Sequence, residues 1–216
     1  MSETSTSTPP GNNLSRVERK RRETRARIIA AAEKLMSEGP VDEVTIQLIT
    51  DAADVGHGTF YLHFKSKYEV LVPIIQKRAA TADACVQQAL ADEPDPARVL
   101  AVSARHMGRT ALADPLWRWF LEHSGVPVED MRAAIGTFSA RDFRRGIESG
   151  RFHVPDLRGM SHFLLGAYVT TLLSALPLDD PGGTLDGMAE LMLRTVGLSV
   201  EEAAGIAHEP LPSMTS

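Results

Sequence analysis

The sequence predicts an all-α protein, and two features of its residue pattern support that fold class. Apolar residues recur at the three- and four-residue spacing of a helix face in successive segments, which Pro, Gly and Asp residues separate. No run of alternating β-branched residues is long enough to form a sheet strand. We therefore expect about nine or ten helices, without an internal repeat.

The N-terminal third predicts three helices that follow a tail. Residues 1–15 are rich in Ser, Thr and Pro and poor in apolar side chains, so we expect them to be disordered. A basic first helix follows, and Gly39-Pro40 should end it. Two short helical segments, 45–53 and 57–64, are then separated by a tight turn.

The remaining sequence predicts a larger helical domain over residues 66–208, after a small domain over residues 16–65. Ser66 and Glu69 have the spacing of a capping box, which predicts a helix start there, and Pro73 should kink that helix. Further helices are expected at residues 95–113, 114–123, 127–150, 156–176, 184–198 and 200–208. Residues 209–216 are expected to form a flexible tail.

Charge is unevenly distributed along a chain whose formal net charge is −5. Residues 1–78 contain 12 Lys or Arg and 10 Asp or Glu, whereas residues 79–216 contain 11 and 18. Seven of the basic residues lie between Arg16 and Arg27, in the first helix. A polyanion is therefore expected to bind only the N-terminal third.

The composition disfavours several classes of function. With one cysteine, Cys85, and no clustered Cys/His spacing, we expect no disulfide, no metal and no cofactor. The sequence lacks Gly-x-Ser-x-Gly, a glycine-rich phosphate loop and His-Glu-x-x-His, which disfavours an enzyme. It also lacks a signal segment and the roughly 18 apolar residues of a membrane-spanning helix, so a cytoplasmic protein is expected.

The segment from Thr45 to Lys67 has the pattern of a helix-turn-helix. In that motif one helix lies across DNA phosphates, and a second presents its N-terminal residues to base edges in the major groove. The leading residues of the second helix must therefore be small or polar, as residues 56–59 (Gly-His-Gly-Thr) are. Phe60 and Phe64 should face the core. The pattern predicts that this segment binds DNA.

At these residues the sequence resembles the tetracycline-repressor (TetR) family. The shared features are a basic first helix, a Thr-led second helix, a Gly-Thr-Phe-Tyr-x-His-Phe recognition helix and a following Lys-x-Lys. The resemblance is close over residues 20–71, and the remainder matches only in its helical pattern. It implies that the residues closest to the bases are Gln47, His57, Gly58 and Thr59. It also implies that phosphates are held by Thr45, Tyr61, His63 and Lys67.

Three features near the motif qualify this interpretation. Asp54 stands where the family usually has Gly, in a left-handed turn position that Asp merely tolerates. Gly56 replaces a Ser or Thr cap, so the recognition helix is expected to start one residue late. The basic arm, with Arg21 and Arg22, is either a solvated helix start or a contact with phosphates or the minor groove, and its position favours DNA.

The larger domain contains an aromatic cluster and an apolar helix pair. The aromatic neighbourhood fits either a packed core or, by the resemblance, a ligand cavity; its members are Met107, Trp117, Trp119, Phe120, His123 and, as weaker candidates, Phe138 and Phe143. The last two long helices fit packing within one chain or, as the resemblance implies, a four-helix dimer seam; the residues expected there are Leu165, Leu172, Leu176, Met188, Leu191 and Met192.

A second group of cations lies near residue 150. Arg141, Arg144, Arg145 and Arg151 allow a second DNA site, but neighbouring acidic residues favour ion pairs on a solvated face.

By the resemblance, the chain is a homodimeric repressor that a small apolar or amphipathic effector releases from a palindromic DNA operator. Pro73 is then either a hinge between the two domains or a static packing bend. The alternative is a helical small-molecule-binding protein without a DNA role, which would leave the basic arm and the recognition helix without a cause.

Overall fold

The computed structural model describes residues 15–123 and 140–214, and the regular structure in those ranges is entirely helical. This confirms the predicted fold class. The elements are α1 (Arg16–Glu38), a 3-10 turn η1 (Val41–Glu43), α2 (Ile46–Ala52), α3 (His57–Tyr61), α4 (Lys67–Ala89), α5 (Pro96–Ala113), α6 (Pro115–Glu122), α7 (helical over 140–148), α8 (Leu157–Ala175), α9 (Gly182–Thr195) and α10 (Val200–Ala207). Most of the predicted tail, the first part of the helix predicted over 127–150, and residues 215–216 lie outside the described residues.

A complete capping box begins α1. The Ser15 hydroxyl accepts a hydrogen bond from the Glu18 backbone N–H at 3.2 Å, and the Glu18 carboxylate accepts one from the Ser15 backbone N–H at 2.9 Å. These bonds satisfy amide groups that a helix start otherwise leaves unpaired, and they lower the pKa of Glu18. The basic residues of α1 are therefore carried on a regular helix.

The first three helices enclose a small core. Ile28, Ile49 and Phe60 are fully buried and Phe64 is nearly so, which confirms the predicted inward positions of the two phenylalanines. Asp54 has a φ of 50°, the left-handed value predicted for this turn. The recognition helix α3 begins at His57 with Gly56 as a cap that makes no side-chain bond, so the expected late start was wrong.

Helix α4 connects this small core to the larger one. Its buried residues Val70, Leu71, Ile74 and Ile75 pack in the same apolar cluster as α1 and α5, so the core is continuous along the chain. Pro73 lies within the helix, which continues to Ala89. Beyond it, α5 is buried along most of its length, and α9 packs on it. No helix among the described residues is long and apolar enough to cross a membrane.

Candidate DNA-binding surface and effector cavity

The start of α3 is open to solvent. His57 and Gly58 are exposed, Thr59 is half-buried, and Tyr61 is 51% exposed with its ring edge-on to His57 at 5.3 Å between centroids. A Cβ atom added to Gly58 would meet no atom within 4 Å, so nothing in the described protein requires a glycine there. The small residue leaves space for something outside the protein.

Two residues of α2 flank this opening. Thr45 caps the helix, because its hydroxyl accepts a hydrogen bond from the Leu48 backbone N–H. Gln47 is exposed, and its amide nitrogen donates one hydrogen bond to Asp51 at 2.7 Å. The structure thus brings four predicted base-contacting residues and two predicted phosphate-contacting residues to neighbouring positions on α2 and α3.

A basic cleft adjoins α3. It has a volume of about 310 Å³ and is lined by Glu18, Arg21, Arg22, Arg25 and His63. Burial and the nearby charges of Arg21 and Arg25 lower the pKa of His63. The cleft contains one carboxylate, Glu18, whose pKa is lowered by its hydrogen bonds with Ser15 and by the nearby Arg22, so three guanidinium groups and one carboxylate leave it with a net positive charge.

Arginine pairing within the cleft is incomplete. Arg21 and Arg22 make no hydrogen bond or ion pair with any other residue that the structure describes. Arg25 lies 4.8 Å above the Phe64 ring in a cation-π contact.

Lys67, which the resemblance assigns to phosphate, has another set of partners. Its ammonium donates to the backbone carbonyls of Val41, Asp42 and Val44 at 3.1, 2.9 and 3.0 Å. Because an ammonium has three N–H groups, these bonds leave none for a phosphate. The structure therefore makes Lys67 a tie between the start of α4 and η1.

Arg27 is a residue that the sequence reasoning missed. Its guanidinium donates to the carbonyls of Ala53, at 3.0 Å from Nε, and Asp54, and so holds the helix-turn-helix turn against α1. A cation at the C-terminal end of α2 is also favoured by the helix dipole. The sequence signal was present, since Arg27 directly precedes the buried Ile28, but the sequence pattern counted it only with the other basic residues of the first helix.

The larger domain contains a cavity of about 70 Å³ that is apolar except at one end. Its wall comes from helices α4, α5, α7, α8 and α9. The lining residues are Asp83, Val86, Leu100, Ser103, Ala104, Met107, Asp142, Phe143, Leu164, Leu165, Tyr168 and Met192. Burial raises the pKa of Tyr168, whose hydroxyl donates to the Ala104 carbonyl at 2.9 Å.

Two carboxyl groups line the polar end of the cavity, and a guanidinium outside the lining binds both of them. Arg141 donates two hydrogen bonds to Asp83, at 2.9 and 2.8 Å, and one from Nε to Asp142 at 2.9 Å. Asp83 and Asp142 are 8% and 3% exposed, and burial raises the pKa of Asp142 despite the nearby guanidinium. The oxygens of these two carboxyl groups accept hydrogen bonds, so the cluster favours a ligand that donates them.

Most of the described residues proposed for the cavity lie elsewhere. Of those that the structure describes, Met107 and Phe143 line it. Trp117 and Phe120 are each 1% exposed in the packed core, which was the other reading of the sequence. Trp119 and His123 stack on one another at the edge of α6, and Phe138 lies outside the described residues.

Helix α8 presents apolar residues on two faces. The inward face holds Leu164, Tyr168, Leu172 and Ala175. The outward face repeats at three- and four-residue spacing and contains the exposed residues Phe163, Gly166, Ala167, Thr170, Leu173 and Ser174. On α9, Leu191 is 60% exposed. An uncovered face of large and small apolar residues is typical of a contact surface.

Most residues expected at a dimer seam are buried in one chain. Leu172, Leu176, Met188 and Met192 are between 1% and 8% exposed, so packing within the chain accounts for them. Leu165 lines the cavity, and Leu191 alone of the predicted set is exposed. The sequence missed Phe163 and Leu173, because a helix that is apolar on both faces does not show which face is buried.

Two of the four cations in the second group form ion pairs, as predicted, and a third bonds a backbone carbonyl. Arg141 binds Asp83 and Asp142, and Arg151 binds Asp95 at 3.0 Å and Glu202 at 2.7 Å. Arg145 donates to the Glu93 carbonyl at 2.6 Å. These partners remove the case for a second DNA site here.

Two protein-family models match the chain. Residues 28–73 match the bacterial regulatory proteins of the tetR family, and residues 95–209 match the tetracyclin repressor-like C-terminal domain. The HTH-type transcriptional repressor KstR of Mycobacterium tuberculosis is 30% identical over 95 residues, which are 44% of this chain and 43% of KstR. The matched region therefore spans less than half the length of that relative.

Solved structures extend the similarity over most of the chain. RolR in complex with resorcinol is 35% identical, with a TM-score of 0.81 over 92% of this chain and 100% of RolR. Thermus thermophilus FadR, a TetR-family repressor in complex with lauroyl-CoA, is 24% identical, with a TM-score of 0.69 over 81% of this chain and 96% of FadR, and shares the fold. The chain belongs to the TetR family of bacterial regulatory proteins, and it is a ligand-responsive, DNA-binding transcriptional regulator.

Proposed function

We propose that the protein is a homodimeric repressor that a small hydroxylated aromatic compound releases from a palindromic operator. Residues 16–65 form the DNA-binding head, and residues 66–208 bind the effector and the second subunit. Each recognition helix α3 enters a major groove, and the two grooves are roughly 34–36 Å apart. The regulator acts in the cytoplasm, where the chromosome lies.

The observation that carries the DNA-binding surface is the open start of α3 beside the basic cleft. Gly58 is exposed with nothing of the protein near its missing side chain, and Arg21 and Arg22 make no hydrogen bond or ion pair with the described residues. Base edges would occupy the space at Gly58, and phosphates would neutralise the arginines. The proposed surface also includes Thr45, Gln47, His57, Thr59 and Tyr61. Lys67 supports this surface by tying the start of α4 to η1.

Gly58→Ala tests the proposed surface, because it should act in opposite directions on stability and on binding. Alanine in a helix is favoured over glycine by up to about 1 kcal/mol, so the melting temperature should rise. The added methyl group should hold α3 away from the bases and weaken operator binding at least tenfold. Fluorescence anisotropy with the duplex obtained from a randomised-site selection measures the affinity. Gly183→Ala, at an exposed position of α9, is the matched control.

The polar end of the cavity supports the proposed effector class. The carboxyl oxygens of Asp83 and Asp142 accept hydrogen bonds, which favours hydroxyl donors over carboxylates, and the rest of the wall suits an aromatic ring. Resorcinol, a benzene ring with two hydroxyl groups, is the ligand of the similar protein RolR. A cavity of about 150 Å³ admits benzene. The walls must therefore move to admit a ring, and the flexible side chains of Met107 and Met192 allow it.

Titration of the operator complex with resorcinol tests the effector class. Resorcinol should release the duplex, whereas benzoate, which has a carboxylate on the same ring, should not. Asp83→Asn removes one of the two carboxyl groups and should reduce the difference in operator release between resorcinol and benzoate. If calorimetry detects no binding of millimolar resorcinol, the effector class is wrong.

The outward face of α8 and α9 supports the proposed dimer. Phe163, Leu173 and Leu191 should pack against the same helices of a second subunit, with small residues between them that allow close approach. Phe163→Glu together with Leu191→Glu should give monomers in sedimentation and abolish tight operator binding. Val200→Glu, at an apolar residue of α10 that is 54% exposed, should leave the dimer intact.

A further inference from the structure

Helix α6 makes polar contacts with both parts of the molecule. Asp114, which caps α6, forms an ion pair with Arg78 of α4, and Arg78 also donates to Ser37 of α1 at 3.0 Å. At the other side, Arg118 of α6 donates to the carbonyl of Leu176 at the end of α8, at 3.0 Å. A movement of α6 is therefore opposed by Arg78 on the side of the DNA-binding head and by the Leu176 carbonyl on the side of α8.

Trp119 makes the contact of α6 with the 3-10 turn η1 in the DNA-binding head. Its indole N–H donates to the Asp42 carboxylate at 3.1 Å. The indole ring stacks on Tyr68 at 5.5 Å and 12°, and on His123 at 4.0 Å and 9°. We call Asp42, Tyr68, Trp119 and His123 the Trp119 clamp.

The head side of this clamp is firmly attached. Lys67 donates to the carbonyls of Val41 and Asp42, so η1 is tied to the start of α4, one residue before Tyr68. The Lys67 ammonium also lies 5.5 Å from the Tyr68 ring centroid. Asp42 and Tyr68 should therefore move together with the head, as one unit.

The cavity side of the clamp is connected through α5. Ser103 and Met107 of α5 line the cavity, and α5 continues into α6 through the shared cap residue Asp114. None of the clamp residues lines the cavity. A ring that widens the cavity would displace α5 and α8, and both helices are attached to α6.

We propose that Trp119 is the positioning residue through which the occupied cavity changes the orientation of the DNA-binding head. This inference rests on the proposed release by an effector. A merely structural role would lower stability and leave the response intact, whereas a coupling role changes the response while both separate affinities persist.

The first test measures the factor by which saturating resorcinol raises the operator Kd. Trp119→Phe keeps a stacking ring but loses the N–H bond, and it should lower this factor at least threefold. Trp119→Ala should bring it close to one. Resorcinol affinity without DNA, and operator affinity without resorcinol, should each stay within twofold of the wild type. Glu122→Ala, at an exposed residue of α6 without a polar partner among the described residues, should retain the full response.

Asp42→Asn gives the conservative comparison, because an amide oxygen still accepts the indole N–H. Asp42→Asn should retain most of the rise in operator Kd that resorcinol causes, whereas Asp42→Ala should lower that rise as much as Trp119→Phe does. A full response in Trp119→Ala would overturn the proposal.

A second test needs no effector. In Trp117→Phe, Trp119 is the remaining tryptophan, and binding of the selected duplex should change its emission, whereas a scrambled duplex should not. If that variant does not fold, the difference between wild-type and Trp119→Phe spectra gives the same signal. If resorcinol does not release the operator from the wild-type protein, the proposed effector class is wrong. The change in Trp119 emission on operator binding still tests the clamp. An emission unchanged by operator would overturn the proposal.

Discussion

The arginines of α1 and those near residue 150 differ in what they touch. Arg21 and Arg22 lie in a cleft and make no hydrogen bond or ion pair with the described residues, whereas Arg141 and Arg151 each bind two carboxylates. The number of cations is therefore a poor guide to function in this chain, whose formal net charge is −5. The pairing state of each cation separates a surface that can receive phosphate from one that holds helices together.

Removing the unpaired arginines should give the largest effect. Arg21→Ala with Arg22→Ala takes away four cations per dimer, so the slope of log K against log salt should fall by about 3 to 4, and affinity near 0.15 M salt by about 10²–10³. Thermal stability should be nearly unchanged. Filter binding over a salt series measures the slope.

The matched control for this pair removes the same charge elsewhere. Arg144 and Arg158 are exposed, and their side chains have no polar partner among the described residues. Arg144→Ala with Arg158→Ala should leave the salt slope unchanged. An equal loss in both double variants would mean that total charge, and not the cleft, determines affinity.

Removing a paired arginine should instead reduce stability. Arg141→Ala leaves two buried carboxylates without a counter-charge, and we expect a loss of about 2–3 kcal/mol in the free energy of unfolding. This is below the value for a fully buried pair, because Arg141 itself is 42% exposed. Chemical denaturation measures it, with Arg144→Ala as the control on the same helix. A free energy of unfolding within about 0.5 kcal/mol of the wild type would mean that the paired and the unpaired arginines do not differ in their contribution to stability.

Lys67 sharpens the comparison, because it lies in the head but is paired. Lys67→Ala should lower stability by about 2 kcal/mol through the lost charge-assisted bonds, with little change in the salt slope. The neighbouring Lys65 has an exposed side chain without a partner among the described residues, and Lys65→Ala should leave stability intact. A slope reduced by about one charge per subunit in Lys67→Ala would restore the phosphate contact that the sequence predicts.

The smallest expected effect concerns His63, whose pKa is lowered by burial and by the charges of Arg21 and Arg25. NMR titration should give a pKa below the ordinary 6.5 in the free protein, and Arg21→Ala should raise it. Because the folded state binds this proton less tightly than the unfolded state, stability from this group is present above pH 6.5 and falls as the pH drops towards the folded pKa. Bound operator should raise the pKa of His63, and an unchanged value would place phosphate elsewhere.

Sequence patterns predicted the helices well where caps and breakers are explicit. Asp95-Pro96 and Asp114-Pro115 open helices at the expected residues, and Gly39 ends α1. The left-handed conformation of Asp54 also followed from its place in the motif. These features depend on neighbouring residues, which a sequence displays directly.

Tertiary partners could not be read in the same way. Nothing local distinguishes Lys67 from Lys65, because the carbonyls that bind Lys67 lie more than 20 residues away. Trp117 and Trp119 are neighbours in an aromatic run, yet one is in the core and the other stacks at the edge of α6. The cavity joins five helices, and its acidic end consists of residues 59 positions apart.

The capping box at Ser15 lowers the conformational entropy that the basic arm would lose on binding DNA. A flexible basic arm loses conformational freedom when it settles on DNA, and that loss offsets part of the electrostatic gain. Here Ser15 and Glu18 fix the first turn before any contact, so the backbone that carries the guanidinium groups is preorganised. Association therefore needs no coupled folding of the segment that carries the positive charge.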